Sequence, residues 1–172
     1  MAPVRAPLLE RGAGVLPWVG TVLRVVVGTV WVVAGSLKLP DPAAAERAVR
    51  AYQLAPEGLV PLLAFGLPVL EIAVGILLLA GVFVRPAAVV SALLLAGFIA
   101  AVSSAWARGL SIDCGCFGGG GEVDADSTAY LSEIVRDGAL LVAALFLVAR
   151  PRTRWALLDR APTSRGGPDA GS

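Results

Sequence analysis

Four long apolar runs, residues 16–37, 61–84, 86–107 and 129–149, alternate with polar stretches along the chain. Each is close to the ~20 residues that an α-helix, rising 1.5 Å per residue, needs to cross the hydrocarbon of a bilayer. The pattern predicts an all-α membrane protein: a four-transmembrane-helix bundle with a short amphipathic helix in the first outer connection. That short helix is read within "KLPDPAAAERAVRAYQLAPEGLVP", where Asp41 is placed to cap it and prolines bound a stretch reaching Tyr52. The second and third runs part only at "FVRPA", where Arg85 and Pro86 predict a tight polar turn. Residues 1–15 are expected as a cytoplasmic N-terminal segment and 16–150 as the membrane domain. Residues 151–172, ending "RAPTSRGGPDAGS", are expected as a disordered polar tail. The first run is expected to be a span rather than a cleaved signal peptide, because it is long and Arg24 interrupts it.

Composition places the chain in the bilayer. Its mean hydropathy is +0.80, and its 16% charged residues fall well below the ~25% of soluble domains. A net charge of +1 without a clustered basic face argues against nucleic acid. The cations also set an orientation, since Lys and Arg in short loops stay preferentially in the cytoplasm. Arg5, Arg11, Arg85 and the arginines from Arg150 onward fall on one side, while Lys38, Arg47, Arg50 and Arg108 fall on the other. This predicts a multi-pass protein of a bacterial plasma membrane, contacting lipid, with both termini cytoplasmic and the connections 38–60 and 108–128 outside.

Charges inside the runs are the next signal. Arg24, Glu71, Arg136 and Asp137 all lie within expected spans, where a charge normally faces the bundle or a wet cavity. Gly20, Arg24, Gly28, Trp31, Gly35 and Lys38 recur at helical spacing and share one face; Ala64, Pro68, Glu71, Gly75 and Leu78 form a matching stripe. An Arg24–Glu71 pair is the simplest way to satisfy both charges, with Arg136 beside Asp137 nearer the outer surface. Such pairs fix helix register. The alternative is a polar pocket for a quinone head group, with Arg24, Trp31, Glu71, Arg136 and Asp137 as its candidate cofactor-binding residues. Trp18, Trp106 and Tyr130 read as interface-belt residues.

The chain has two cysteines, Cys114 and Cys116, one glycine apart in "IDCGCFGGGG", and no histidine. On the outer side they face a compartment where disulfides persist. A Cys-Gly-Cys bridge closes almost no loop and is a poor staple, and strained or exposed disulfides tend to be the labile, catalytic ones. Cys114 and Cys116 are therefore the candidate catalytic pair. Free thiols, a structural pair or two ligands of Cu(I) are the alternatives. A closed zinc site would need Asp113, Glu122 or Asp124, and no metal is expected.

Five stretches, "LRVVVGTVWVVAGSLKL", "AYQLAPEGL", "PVLEIAVGILLLAG", "DCGCFG" and "VRDGALL", resemble the MauE/DoxX group of redox-associated membrane proteins over about residues 20–150. The resemblance implies a four-helix membrane protein linked to methylamine utilisation, assisting disulfide formation or electron transfer beside a thioredoxin-like partner. The wider group is associated with quinone-linked thiol or sulfur oxidation. Related disulfide-forming enzymes carry CxxC and a second cysteine pair, and this chain has one CxC. Two functions are expected on that basis. One is a thiol-disulfide redox protein that passes electrons from an extracytoplasmic thioredoxin-like protein through Cys114 and Cys116 to a membrane quinone. The other is a noncatalytic scaffold or maturation factor for a redox enzyme.

Overall fold

A computed structural model describes residues 8–113, 115, 120–122, 124 and 128–151. Cys114, Cys116 and nearly all of the expected tail lie outside the described residues. The elements in chain order are α1 (Leu8–Lys38), α2 (Pro42–Ala51), a 3-10 turn (Glu57–Leu59), α3 (Val60–Ala80), α4 (Val84–Ala107), β1 (Ile112–Asp113), β2 (Gly121–Glu122) and α5 (Tyr130–Ala149). Among the described residues, three segments are long and apolar enough to cross a membrane: Leu16–Lys38, Glu57–Ala80 and Val84–Ala107. α5 has 20 residues but carries Glu133, Arg136 and Asp137 in its first half.

α1 and α3 pack together along the two stripes of small residues. Gly20, Arg24, Gly28, Trp31 and Gly35 are all buried on α1, as are Ala64, Pro68, Glu71, Gly75 and Leu78 on α3. The approach is close enough to exclude side chains. A Cβ on Gly35 would lie 2.6 Å from the Pro68 carbonyl oxygen, and one on Gly75 would lie 2.7 Å from the Gly28 carbonyl oxygen. Dispersion and backbone proximity hold such a seam where lipid removes most of the hydrophobic drive. Trp31 crosses to α4, its Nε1 donating to the buried Ser91 hydroxyl at 3.0 Å. α4 in turn packs along α5, with Leu95, Ala144 and Leu147 in the shared core.

The break between α3 and α4 lies earlier than the sequence suggests. α3 stops at Gly81, which takes a left-handed φ of 69°, and Val82 donates back to the Leu77 carbonyl at 3.0 Å, closing a Schellman turn. Arg85 and Pro86 belong to the first turn of α4, where a proline's missing N–H removes no intrahelical bond. α1 also begins at Leu8, ahead of the expected start at residue 16.

α2 forms because Asp41 accepts from the Ala44 amide at 2.9 Å and Pro42 opens the first turn. It buries Ala45, Ala48 and Ala51, and Arg47 and Arg50 stay exposed. Arg50 bridges Glu46 and Glu57 on the surface. β1 and β2 were not expected. They pair antiparallel, Ile112 opposite Glu122 and Asp113 opposite Gly121, and pinch the base of the segment holding the cysteines.

Candidate functional site

The loop between β1 and β2 is tied by one carboxylate. Asp113 accepts from the Gly115 amide at 3.2 Å through Oδ1 and from the Gly120 amide at 3.3 Å through Oδ2. Gly115 has a φ of 66° and Gly120 a φ of 92°, positions a side chain would strain. A Cβ on Gly120 would also stand 2.6 Å from Ala48 Cβ, so the loop sits directly on α2. Glycine is thus needed at 115 by the backbone, and at 120 by the backbone and the close approach.

Tyr130 anchors the same region from below. Its hydroxyl accepts from the Ile112 amide at 3.0 Å and donates to the Leu110 carbonyl. It is buried, at 7% exposure, and its ring stacks with Trp106. The interface-belt expectation therefore fails for Tyr130, because both hydrogen-bonding directions of its hydroxyl are used inside the protein. Trp18 and Trp106 are exposed as that expectation requires.

The expected Arg24–Glu71 pair does not form. Glu71, fully buried, receives both of its ion-pair contacts from Lys38: Nζ to Oε1 at 2.7 Å and to Oε2 at 2.9 Å. The reason is register. Gly35 packs at Pro68 and Ile72 while Gly28 packs at Gly75 and Leu79, so α1 and α3 run antiparallel and Arg24 falls near the far end of α3. Arg24 precedes Lys38 by about four turns, ~21 Å along the helix. Arg24 is buried at 3% exposure. Arg136 pairs with its neighbour Asp137 at 2.9 Å. On the next turn towards the start of α5, Glu133 is also buried, and its Oε2 has no hydrogen-bond partner among the described residues.

Two cavities border Lys38, and the smaller also borders Glu71. The smaller, about 20 Å³, is lined by Trp31, Glu71, Arg136 and Asp137 together with Lys38 and Phe98. Four of the five residues expected around a quinone thus meet at one place, and Arg24 does not join them. The space there fits a single water and not a ring. The larger cavity, about 520 Å³, lies between the end of α1, α2, α3 and α4, beside Gly115 and Gly120. That volume is within the range of small-molecule sites. Gly115, which separates the two cysteines in the chain, and Gly120 are part of its wall; Lys38 and Phe98 border both cavities.

Lys38 and the residues of the larger cavity were missed as site residues. Lys38 did lie on the small-residue stripe, one turn beyond Gly35, but its place at a span end made it read as an outer-loop cation. Gly97, Phe98 and Tyr52 carry no local signal, since a gap between several elements is invisible in any one of them. Among the described residues no cluster of His, Cys, Asp and Glu could hold a metal ion.

The family model described as methylamine utilisation protein MauE matches residues 16–150. No curated protein and no solved structure gives a match.

Proposed function

Because this chain belongs to the MauE family of methylamine utilisation proteins, we propose that it is a membrane accessory protein whose Cys114–Cys116 pair carries electrons from an extracytoplasmic thioredoxin-like protein to a membrane quinone. The observation that carries this reading is the larger cavity. It is roomy enough for a substituted ring, walled mostly by apolar side chains, and has the glycine between the two cysteines in its wall.

The chemistry balances as two thiol–disulfide exchanges followed by one two-electron transfer. A thiolate of the partner attacks one sulfur of the Cys114–Cys116 disulfide, a mixed disulfide forms, and the other cysteine leaves as thiolate. The partner's second thiol attacks that mixed disulfide, so the partner departs oxidised and Cys114 and Cys116 are left as a dithiol. A quinone held in the cavity would accept the two electrons and two protons that the dithiol gives up as the disulfide re-forms. Of the residues present, Lys38 and Phe98 would hold such a ring from one side, Gly115 and Gly120 from the loop side, and Ala64 and Leu67 from α3.

α5 is the fourth span in this proposal. Leu131, Val135, Val142 and Leu145 stay exposed along one apolar stripe while Glu133 and Asp137 turn inward, the arrangement a helix in lipid requires. The arginine distribution puts the cysteine loop outside and both termini in the cytoplasm.

The test is an assay of the purified full chain with a reduced thioredoxin-like protein and a water-soluble quinone. Thiol-dependent quinone reduction is expected, and its loss in Cys114→Ser/Cys116→Ser. The chain has no further cysteines to relay electrons, which is the observation favouring a noncatalytic scaffold. A scaffold gives no turnover in the parent protein and unchanged cellular function without both sulfurs.

A further inference from the structure

Among the described residues, the charged groups on the wall of the larger cavity are Lys38, Asp41 and Arg47, and each already faces a counter-charge. Lys38 is held by both oxygens of Glu71, at 2.7 and 2.9 Å. Asp41 and Arg47 stand 3.8 Å apart at the exposed outer rim. The described wall thus has polarity without net charge. An ammonium has three N–H donors; Glu71 takes two, and the Phe98 ring centroid lies 5.5 Å from Nζ. Lys38 retains one donor and borders the cavity beside an aromatic face.

We infer that this cavity selects a neutral ring bearing a carbonyl oxygen, which accepts the remaining N–H of Lys38, and that it discriminates against anions because Glu71 has already neutralised the lysine. The inference rests on the redox reading for the expectation that a ligand enters here, and it adds what that reading leaves open: the charge class of the ligand and the residue that sets it. Lys38 is the specificity-determining donor and Glu71 the positioning residue that cancels its charge. An anion brought to this wall would lose its hydration and meet the buried Glu71 carboxylate just behind the ammonium. A carbonyl gives up far less hydration and gains a charge-assisted hydrogen bond. The apolar lining, including Leu67 and Leu94, accommodates the ring.

The experiment measures equilibrium binding of two ligands of nearly identical shape to the full chain in detergent micelles. The neutral probe is 2,3-dimethyl-1,4-naphthoquinone. The anionic probe is 2-hydroxy-3-methyl-1,4-naphthoquinone at mildly alkaline pH, where its hydroxyl is ionised. The parent protein is expected to bind the neutral probe about tenfold or more tightly than the anion. In Glu71→Gln, whose amide keeps the shape and frees the lysine's charge, affinity for the anion should rise by about tenfold and that for the neutral probe should stay within about threefold. The Lys38→Met/Glu71→Gln variant removes both charges at similar volume, which bundles tolerate well. It should bind the neutral probe about tenfold more weakly, with no gain for the anion.

Equal binding of both probes by the parent overturns the inference. So does a Glu71→Gln protein with an unchanged ratio, or a double variant that holds the neutral probe as the parent does. A diacylglycerol, whose ester carbonyls offer the same acceptor without a ring, is added as competitor; displacement at equal concentration overturns the assignment to a ring. Binding is read without turnover. Intact discrimination with no thiol-dependent reduction overturns the redox reading alone, and turnover without discrimination overturns this inference alone.

Discussion

At the scale of single residues, Lys38 and Glu71 form one unit with unequal members. Glu71 is fully enclosed, whereas the Lys38 side chain keeps 14% exposure at the end of α1. A lysine freed of its partner keeps the cavity edge beside it to hydrate its ammonium; a glutamate on the middle of α3 has no such relief. Lys38→Met is therefore expected to destabilise the protein by about 3–5 kcal/mol, the loss of one partner from a buried pair. Glu71→Gln should cost clearly less, and denaturant unfolding in micelles compares the two. Equal losses would mean that the cavity edge relieves a lone Lys38 no more than the bundle relieves a lone Glu71. At the cysteines, Cys114→Ser and Cys116→Ser should each abolish thiol-dependent quinone reduction, and one of them should trap a covalent adduct with the thioredoxin-like protein because the resolving thiol is gone. Non-reducing electrophoresis detects it. Full turnover in either single variant removes the pair from the mechanism.

Elements meet through small residues, and this makes glycines unequal. Gly35→Ala drives a methyl into the Pro68 carbonyl oxygen at 2.6 Å and into Ile72 at 2.7 Å. It should cost about 1–3 kcal/mol, the usual penalty of overpacking. Gly66→Ala and Gly138→Ala meet no atom within 4 Å and serve as controls that should not lower the unfolding midpoint. Gly97 on α4 is a different case, since its Cβ would also meet nothing and the residue borders the larger cavity. Gly97→Leu should fold as well as the parent, helped by a helix propensity better by about 1 kcal/mol, yet project into the cavity and narrow it. Loss of naphthoquinone binding with an unchanged melting temperature is the expected result. Undiminished binding would place the ligand elsewhere. The sequence made the α1 and α3 stripes legible because a shared face repeats every three or four residues. The α3–α4 turn was misread, since a left-handed Gly81 and Phe83 end the helix earlier than the more conspicuous Arg85 and Pro86.

For the whole molecule, the arginine distribution predicts that a membrane-impermeant thiol reagent reaches Cys114 or Cys116 in intact cells after reduction. Labelling that requires permeabilisation would reverse the orientation and, with it, the oxidising environment assumed for the pair. Membrane residence, the helices and the small-residue faces follow from the sequence by itself, because hydropathy and helical periodicity are properties of one segment at a time. Family membership was legible too, in short stretches such as "PVLEIAVGILLLAG" and "DCGCFG". Which cation meets Glu71 was not. Arg24 and Lys38 share a face of α1, and only the antiparallel register of α1 against α3, set by where Gly28, Gly35 and Gly75 allow backbones to touch, puts Lys38 in reach and leaves Arg24 at the other end. The cavity beside Gly115 and Gly120 belongs to the same category. It is the space that the end of α1, α2, α3 and α4 leave between them, and a gap among four helices exists only once their relative positions are fixed.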